Sequence, residues 1–167
     1  MLFDKIKPVD QLSGLAKKAK SSTHTFFIKL KKKQPKQLDD TMQKLHDEVF
    51  SKIDCLDCAN CCKTLGPAIY NLDVERMAKY LRLKPAKLIE TYLRVDEDGD
   101  FVFKTKPCPF LLDDNYCSIY TARPKACREY PHTDRKRFYQ VLDITEKNAA
   151  VCPAVYAIVE ELKTIPF

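Results

Sequence analysis

Eight cysteines are the residues of this chain best suited to chemistry. Four of them stand in one run, Cys55-Leu-Asp-Cys58-Ala-Asn-Cys61-Cys62. Cysteines three apart in a tight loop can turn their sulfurs toward one point, as zinc knuckles and iron–sulfur loops both require. The C-x2-C-x2-C part has the local spacing of the bacterial ferredoxin run, in which a further ligand comes from elsewhere. Cys62 is the awkward member, because side chains of adjacent residues diverge and two neighbouring cysteines seldom complete one tetrahedral site. It can serve a second centre, bridge two metals or stand by as a thiol. A vicinal disulfide is the strained alternative.

The second half supplies Cys108, Cys117, Cys127 and Cys152. Pro107-Cys108-Pro109 and Cys152-Pro153 set two of these against rigid backbone that limits solvent access, and a Cys-Pro step also closes the ferredoxin run. Eight thiols suit two four-thiolate sites, or one cluster with supporting thiols, and spacing alone does not assign the connectivity. Four thiolates around a metal leave negative charge to be offset. Arg123 and Arg128, flanking Cys127, are the candidates for that outer layer; the competing reading is a surface pairing with Glu129. His132 is a further candidate ligand. His46 is read as a helix-surface residue before it is read as a ligand.

The rest of the composition narrows the setting. Three glycines and no GxGxxG or Walker-type run argue against a phosphate-cradling fold. No stretch approaches the roughly 18 apolar residues of a spanning helix. The N-terminus lacks the apolar stretch and cleavage site of a secretory signal, and Asp4 and Asp10 without any arginine argue against a mitochondrial presequence. A cytoplasmic location is therefore expected, and reducing conditions there favour metal over disulfides. Charge is uneven: residues 1–53 hold 12 lysines against 6 acidic residues, whereas residues 54–167 hold 17 of each sign. The bland reading is a solubilising face. The sharper one is an arm over residues 17–36 that docks nucleic acid or an acidic protein.

The elements that must position the thiols follow from periodicity. Met42, Leu45, Val49 and Ile53 share a helical face after a cap at Asp39 or Asp40, and this helix delivers the chain into Cys55. A second helix is expected near 72–83, capped by Asn71 or Asp73, and a third starts at Pro85. Asp96-Glu97-Asp98-Gly99-Asp100 lacks the spacing of a calcium loop and reads as a hairpin turn, with Phe101–Phe103 as a strand. Phe138–Ile144 reads as a further strand, and 154–163 as a closing helix. Residues 1–38 read as a basic extension and 39–167 as the cysteine-cluster domain, with the helices near 40–53, 72–83 and 154–163 joined in one core. The fold class is thus mainly α with a small β-hairpin, at the α+β margin, packed around a metal centre.

The run Cys55–Cys62, Pro107-Cys-Pro-Phe-Leu-Leu112, Cys117-Ser-Ile-Tyr-Thr-Ala-Arg-Pro124 and Cys127-Arg-Glu-Tyr-Pro131 together resemble the YkgJ-type cysteine-cluster family. Leu72-Asp-Val-Glu-Arg-Met77 resembles the helix opening that follows the cysteine run in that family. The resemblance begins at Cys55, so it implies nothing for residues 1–54. It implies a zinc- or iron-chelating domain with Cys55, Cys58, Cys61, Cys62, Cys108, Cys117, Cys127 and Cys152 as ligands, and members are often labelled Fe–S oxidoreductases. The cofactor expected is an iron–sulfur cluster of the 4Fe–4S kind or zinc. Cys61-Cys62 and the Cys-Pro steps favour the cluster. The competing function is a structural zinc module that uses the basic arm to bind a partner.

Overall fold

A computed structural model describes residues 7–167, so Asp4 lies outside the described residues. In chain order the helices are α1 (Val9–Lys33), α2 (Leu38–Phe50), α3 (Asn60–Thr64), α4 (Asn71–Leu81) and α5 (Pro85–Tyr92). Strands β1 (Leu93–Val95) and β2 (Phe101–Phe103) follow, then α6 (Lys125–Glu129), α7 (Leu142–Asn148) and α8 (Pro153–Leu162). Single 3₁₀ turns occur at Cys55–Asp57, Tyr120–Ala122 and Phe138–Gln140. The fold is mainly α with one small antiparallel hairpin. Among the described residues no helix is long and apolar enough to cross a membrane.

The chain divides into two compact units, the first made of residues up to Asp54 with Pro131–Phe167 and the second of Cys55–Tyr130. The apolar interior expected as one core is correspondingly two clusters, with α4 in one and α2 and α8 in the other.

In the first unit α8 is the centre. Every residue from Pro153 to Val159 is buried, and so is Leu162. A helix apolar on all sides belongs in the middle of a core. Leu38, Met42, Leu45 and Val49 form the stripe by which α2 packs on it. The basic N-terminal segment, expected to lie outside the core, forms the long helix α1 and puts Phe27 and Leu30 into this core. Its lysines (Lys17, Lys18, Lys20, Lys29, Lys31–Lys33, with Lys36 just beyond) are exposed. Lys31 pairs with Asp143 at 2.7 Å and Lys33 donates to the Phe167 carbonyl at 2.7 Å.

Two local expectations in this unit are corrected. Asp39 does not cap α2, since the helix starts at Leu38. Its carboxylate instead accepts the Arg137 and Phe138 N–H groups at 2.7 and 2.9 Å, tying down the turn that buries Phe138. Phe138–Ile144 is not a strand either. It is a 3₁₀ turn running into α7, with Phe138 and Leu142 turned into the core.

The second unit packs Ile69, Val74, Met77, Leu88, Leu93, Phe103, Phe110 and Ile119 together. Pro85 opens α5, where its fixed φ and missing N–H cost nothing. β1 and β2 pair with Leu93 opposite Phe103 and Val95 opposite Phe101. The acidic run between them is the turn expected: Asp96 Oδ1 accepts the Asp98 and Asp100 N–H groups at 3.1 and 3.0 Å. Gly99 takes φ +86°, which a side chain would resist.

Candidate metal centre

Seven of the eight cysteines fall within the second unit, on short turns rather than on long elements. The 3₁₀ turn Cys55–Asp57 is closed by Ala59 N–H bonding the Cys55 carbonyl at 2.8 Å. Ala59 then reverses the chain at φ 46° and starts α3, which holds Cys61 and Cys62. Lys63 donates to the Cys58 carbonyl at 2.7 Å, fastening the turn to the helix.

The other thiols arrive on separate segments. Cys108 N–H bonds the Cys62 carbonyl at 2.9 Å, joining the first run to the Pro-Cys-Pro loop. That loop is paired with the next one through a bridge between Leu111 and Cys117, and Ser118 N–H bonds the Phe110 carbonyl at 2.9 Å. Cys127 sits in the middle of α6, its N–H bonded to the Pro124 carbonyl at 3.0 Å.

This arrangement brings Cys62, Cys108, Cys117 and Cys127 into electrostatic reach of one another. Burial pushes Cys127 up to about 12, and the neighbouring thiol charges of Cys108, Cys62 and Cys117 push the same way. Cys108 rises to about 11, again chiefly by burial, although the Phe110 and Leu111 N–H groups point at its sulfur and oppose the rise. Cys117 is raised by burial and opposed by the Ile119 N–H. Cys62 moves the other way, to about 7, because Cys61 shares a hydrogen bond with it; burial opposes the drop, and Arg123 and Lys63 assist it. The two sulfurs stand 4.0 Å apart. Cys58, Cys62, Cys108, Cys117 and Cys127 are free thiols.

Two features of these thiols suit a metal. Backbone N–H groups aimed at sulfur stabilise the thiolate, the form that binds metal. Burial and mutual repulsion disfavour thiolates in the absence of a cation, so a cation is what would let several exist together. All-thiolate donor sets accept zinc and iron–sulfur clusters alike. Among the described residues, no three His, Cys, Asp or Glu side chains already stand grouped as ion ligands.

The remaining expected residues lie as follows. Arg123 is half-buried, stacks 3.5 Å over the Tyr120 ring and donates from Nε to the Tyr120 carbonyl at 2.8 Å. Its charge acts on Cys62, Cys117 and Cys127. Arg128 is exposed and is not among the charges acting on those thiols. Cys152 belongs to the first unit, where it precedes α8 and packs against that core. His46 also lies in the first unit, its Nδ1 2.7 Å from the Thr133 hydroxyl and its ring 4.5 Å from that of Phe50. His132 lies there too, at φ 67°. Lys63 and Arg76 were not anticipated from sequence, and Asp73 only as a helix cap. The usable signal was the i, i+3 spacing of Asp73 and Arg76 on a helix.

Thiols drawn from separated loops and offered backbone donors place this chain in the class of cysteine-cluster, metal-chelating domains. Residues 54–153 match the CxxCxxCC family, described as a "Putative zinc- or iron-chelating domain", and the chain belongs to that family. No curated protein and no solved structure matches it.

Proposed function

We propose that the second unit holds a zinc ion or an iron–sulfur cluster at the four thiols Cys62, Cys108, Cys117 and Cys127. The observation that carries this reading is that hydrogen bonds between well-separated segments bring the thiol loops together: the Cys108 N–H bonds the Cys62 carbonyl at 2.9 Å and Leu111 bridges to Cys117, while Cys62, Cys108 and Cys117 all help to raise Cys127. Arg123 and Lys63 offset the charge that the bound thiolates would leave. Cys55 and Cys58, on the adjoining turn, and Cys61, beside Cys62 on α3, add thiols for a larger cluster or a further ion. A bound metal would supply cross-linking of the loops, and with iron also electron transfer. The protein's own part is to aim N–H donors at the sulfurs and limit water around them.

The test is anaerobic purification without added metal, followed by a visible spectrum and elemental analysis of one sample. Brown protein with iron and acid-labile sulfide assigns a cluster and a redox role. Colourless protein with stoichiometric zinc assigns a chelate that organises the unit. Protein that carries neither, and takes up neither on reconstitution, sinks the proposal.

A further inference from the structure

Asp73 is a carboxylate only 2% exposed, in a unit whose other buried residues are almost all apolar. Burying a charge is costly unless every lone pair is used. Here both oxygens are used. Oδ2 accepts the Tyr70 N–H at 3.1 Å, closing the first turn of α4. Oδ1 accepts the Lys125 N–H at 2.9 Å and also the Arg76 guanidinium. The same Arg76 Nη2 donates to the Arg123 carbonyl at 2.7 Å.

A helix cap requires only the Tyr70 contact. The bonds from the Lys125 N–H to Asp73 and from Arg76 to the Arg123 carbonyl reach across the unit and grip the peptide groups on either side of Pro124, which is itself buried. Proline has no N–H and a narrow range of φ, so these flanking groups are the handles by which the segment can be held. Arg123 on one side is a half-buried cation stacked on the Tyr120 ring in the segment that leads from Cys117 to Cys127. Lys125 on the other side opens α6, the helix that carries Cys127.

Resting on the four-thiol reading above, we propose that Asp73 and Arg76 are positioning residues of the metal centre. The pair hangs segment 123–127 on α4 so that Cys127 and Arg123 face the other three thiols. It contributes no ligand itself. Outer partners of this kind typically change metal affinity by about 10–100-fold.

The test is titration of the reduced full-length protein with cobalt(II), whose thiolate-to-metal absorption scales with the number of thiolates bound. In Asp73→Asn the affinity should fall at least about 10-fold, in the range usual for outer partners. The absorption per cobalt should fall by roughly a quarter as one of four thiolates is lost, with far-ultraviolet circular dichroism retained. A purely structural role would lower stability and leave the absorption per bound cobalt intact. Arg76→Lys is the second variant, in case the first does not fold: it spares the Tyr70 and Lys125 bonds, and its shorter side chain holds Asp73 and the Arg123 carbonyl less firmly. Several-fold weaker cobalt binding is expected, with absorption per cobalt reduced, though by less than in Asp73→Asn. A wild type with the four-thiolate spectrum, matched in affinity and absorption by a folded Asp73→Asn, or by Arg76→Lys where that variant does not fold, overturns this inference alone. A wild type that takes up no cobalt overturns the metal reading and this one with it.

Discussion

The two units are built on different physical terms. The first is a set of helices around α8 with a large apolar cluster, Thr23, Thr133, Thr145 and Asn148 being buried in the same unit, and its order comes from burial. The second has short helices, one three-residue hairpin and loops punctuated by Pro107, Pro109 and Pro124. It carries a smaller apolar cluster, an ion pair whose carboxylate is buried and most of the cysteines. A region with that much irregular backbone has fewer ladder hydrogen bonds and less buried area to set against chain entropy. The contrast teaches where a metal would matter for stability: in the second unit it would supply what burial supplies in the first.

The largest expected effect is metal removal. Stripping metal under reducing conditions should collapse amide-exchange protection in α4–α6, since structural zinc in small domains is worth about 10–16 kcal/mol of apparent binding energy. α2 and α8 should keep theirs. Hydrogen exchange read by mass spectrometry separates the units, and equal loss in both would erase the distinction. Cys127→Ser should behave as a milder version, losing metal while the first unit stays ordered.

Next in size is the converse change. Ile158→Ala, at a fully buried position of α8, should cost about 2–5 kcal/mol, as such truncations do. Metal stoichiometry should stay at the wild-type value. Denaturant melts with elemental analysis of the same samples check both halves.

A smaller effect separates metal-free from metal-bound protein by pH. The raised Cys108, Cys117 and Cys127 thiols stay protonated in the folded protein where the unfolded chain has already ionised. The folded state then holds more protons, so metal-free stability should fall from about pH 8.5, the ordinary cysteine value, upward toward 11–12. Cys62, lowered to about 7, works the opposite way and adds stability between about 7 and 8.5. Metal-loaded protein, its thiols deprotonated already, should lack the alkaline decline. Urea melts from pH 7 to 10 on both forms would show it, and parallel curves would count against the shared thiol site.

The smallest expected effect lies on the first unit's surface. Lys31→Ala breaks the exposed pair with Asp143 and should leave the thermal midpoint within error, because such pairs are screened and costly to order.

What the sequence disclosed depended on how local the information was. α2, α4, α5, α8 and the hairpin have their stripes, proline starts and turn residues within a few positions, and those elements are where periodicity placed them. α1 was hidden because a long, mostly polar stretch separates Leu12 from Phe27 and Leu30, and lysines flank the latter pair, so its buried face looked like a lysine-rich tail. At Phe138–Ile144 a short apolar run satisfied either period, and packing against the core decided for helix. The cysteines announced metal chemistry by type and spacing. Their grouping was illegible because it depends on which loops meet. Cys62, the misfit of its own run, proves to be that run's link to the downstream thiols. Asp73 likewise looked local, since its decisive partner, the Lys125 N–H, is 52 residues away.

The interruption of the first unit by the second has a consequence for the order of events during synthesis. Cys55–Tyr130 is continuous, so everything it needs has emerged from the ribosome once Tyr130 has. α2 meanwhile waits with its apolar stripe uncovered, because its partner α8 comes only after that whole segment. At about 5–20 residues per second, the wait is on the order of ten seconds. During that interval a metal held as proposed above would have time to enter the thiol loops while α2 is the exposed surface a chaperone would grip.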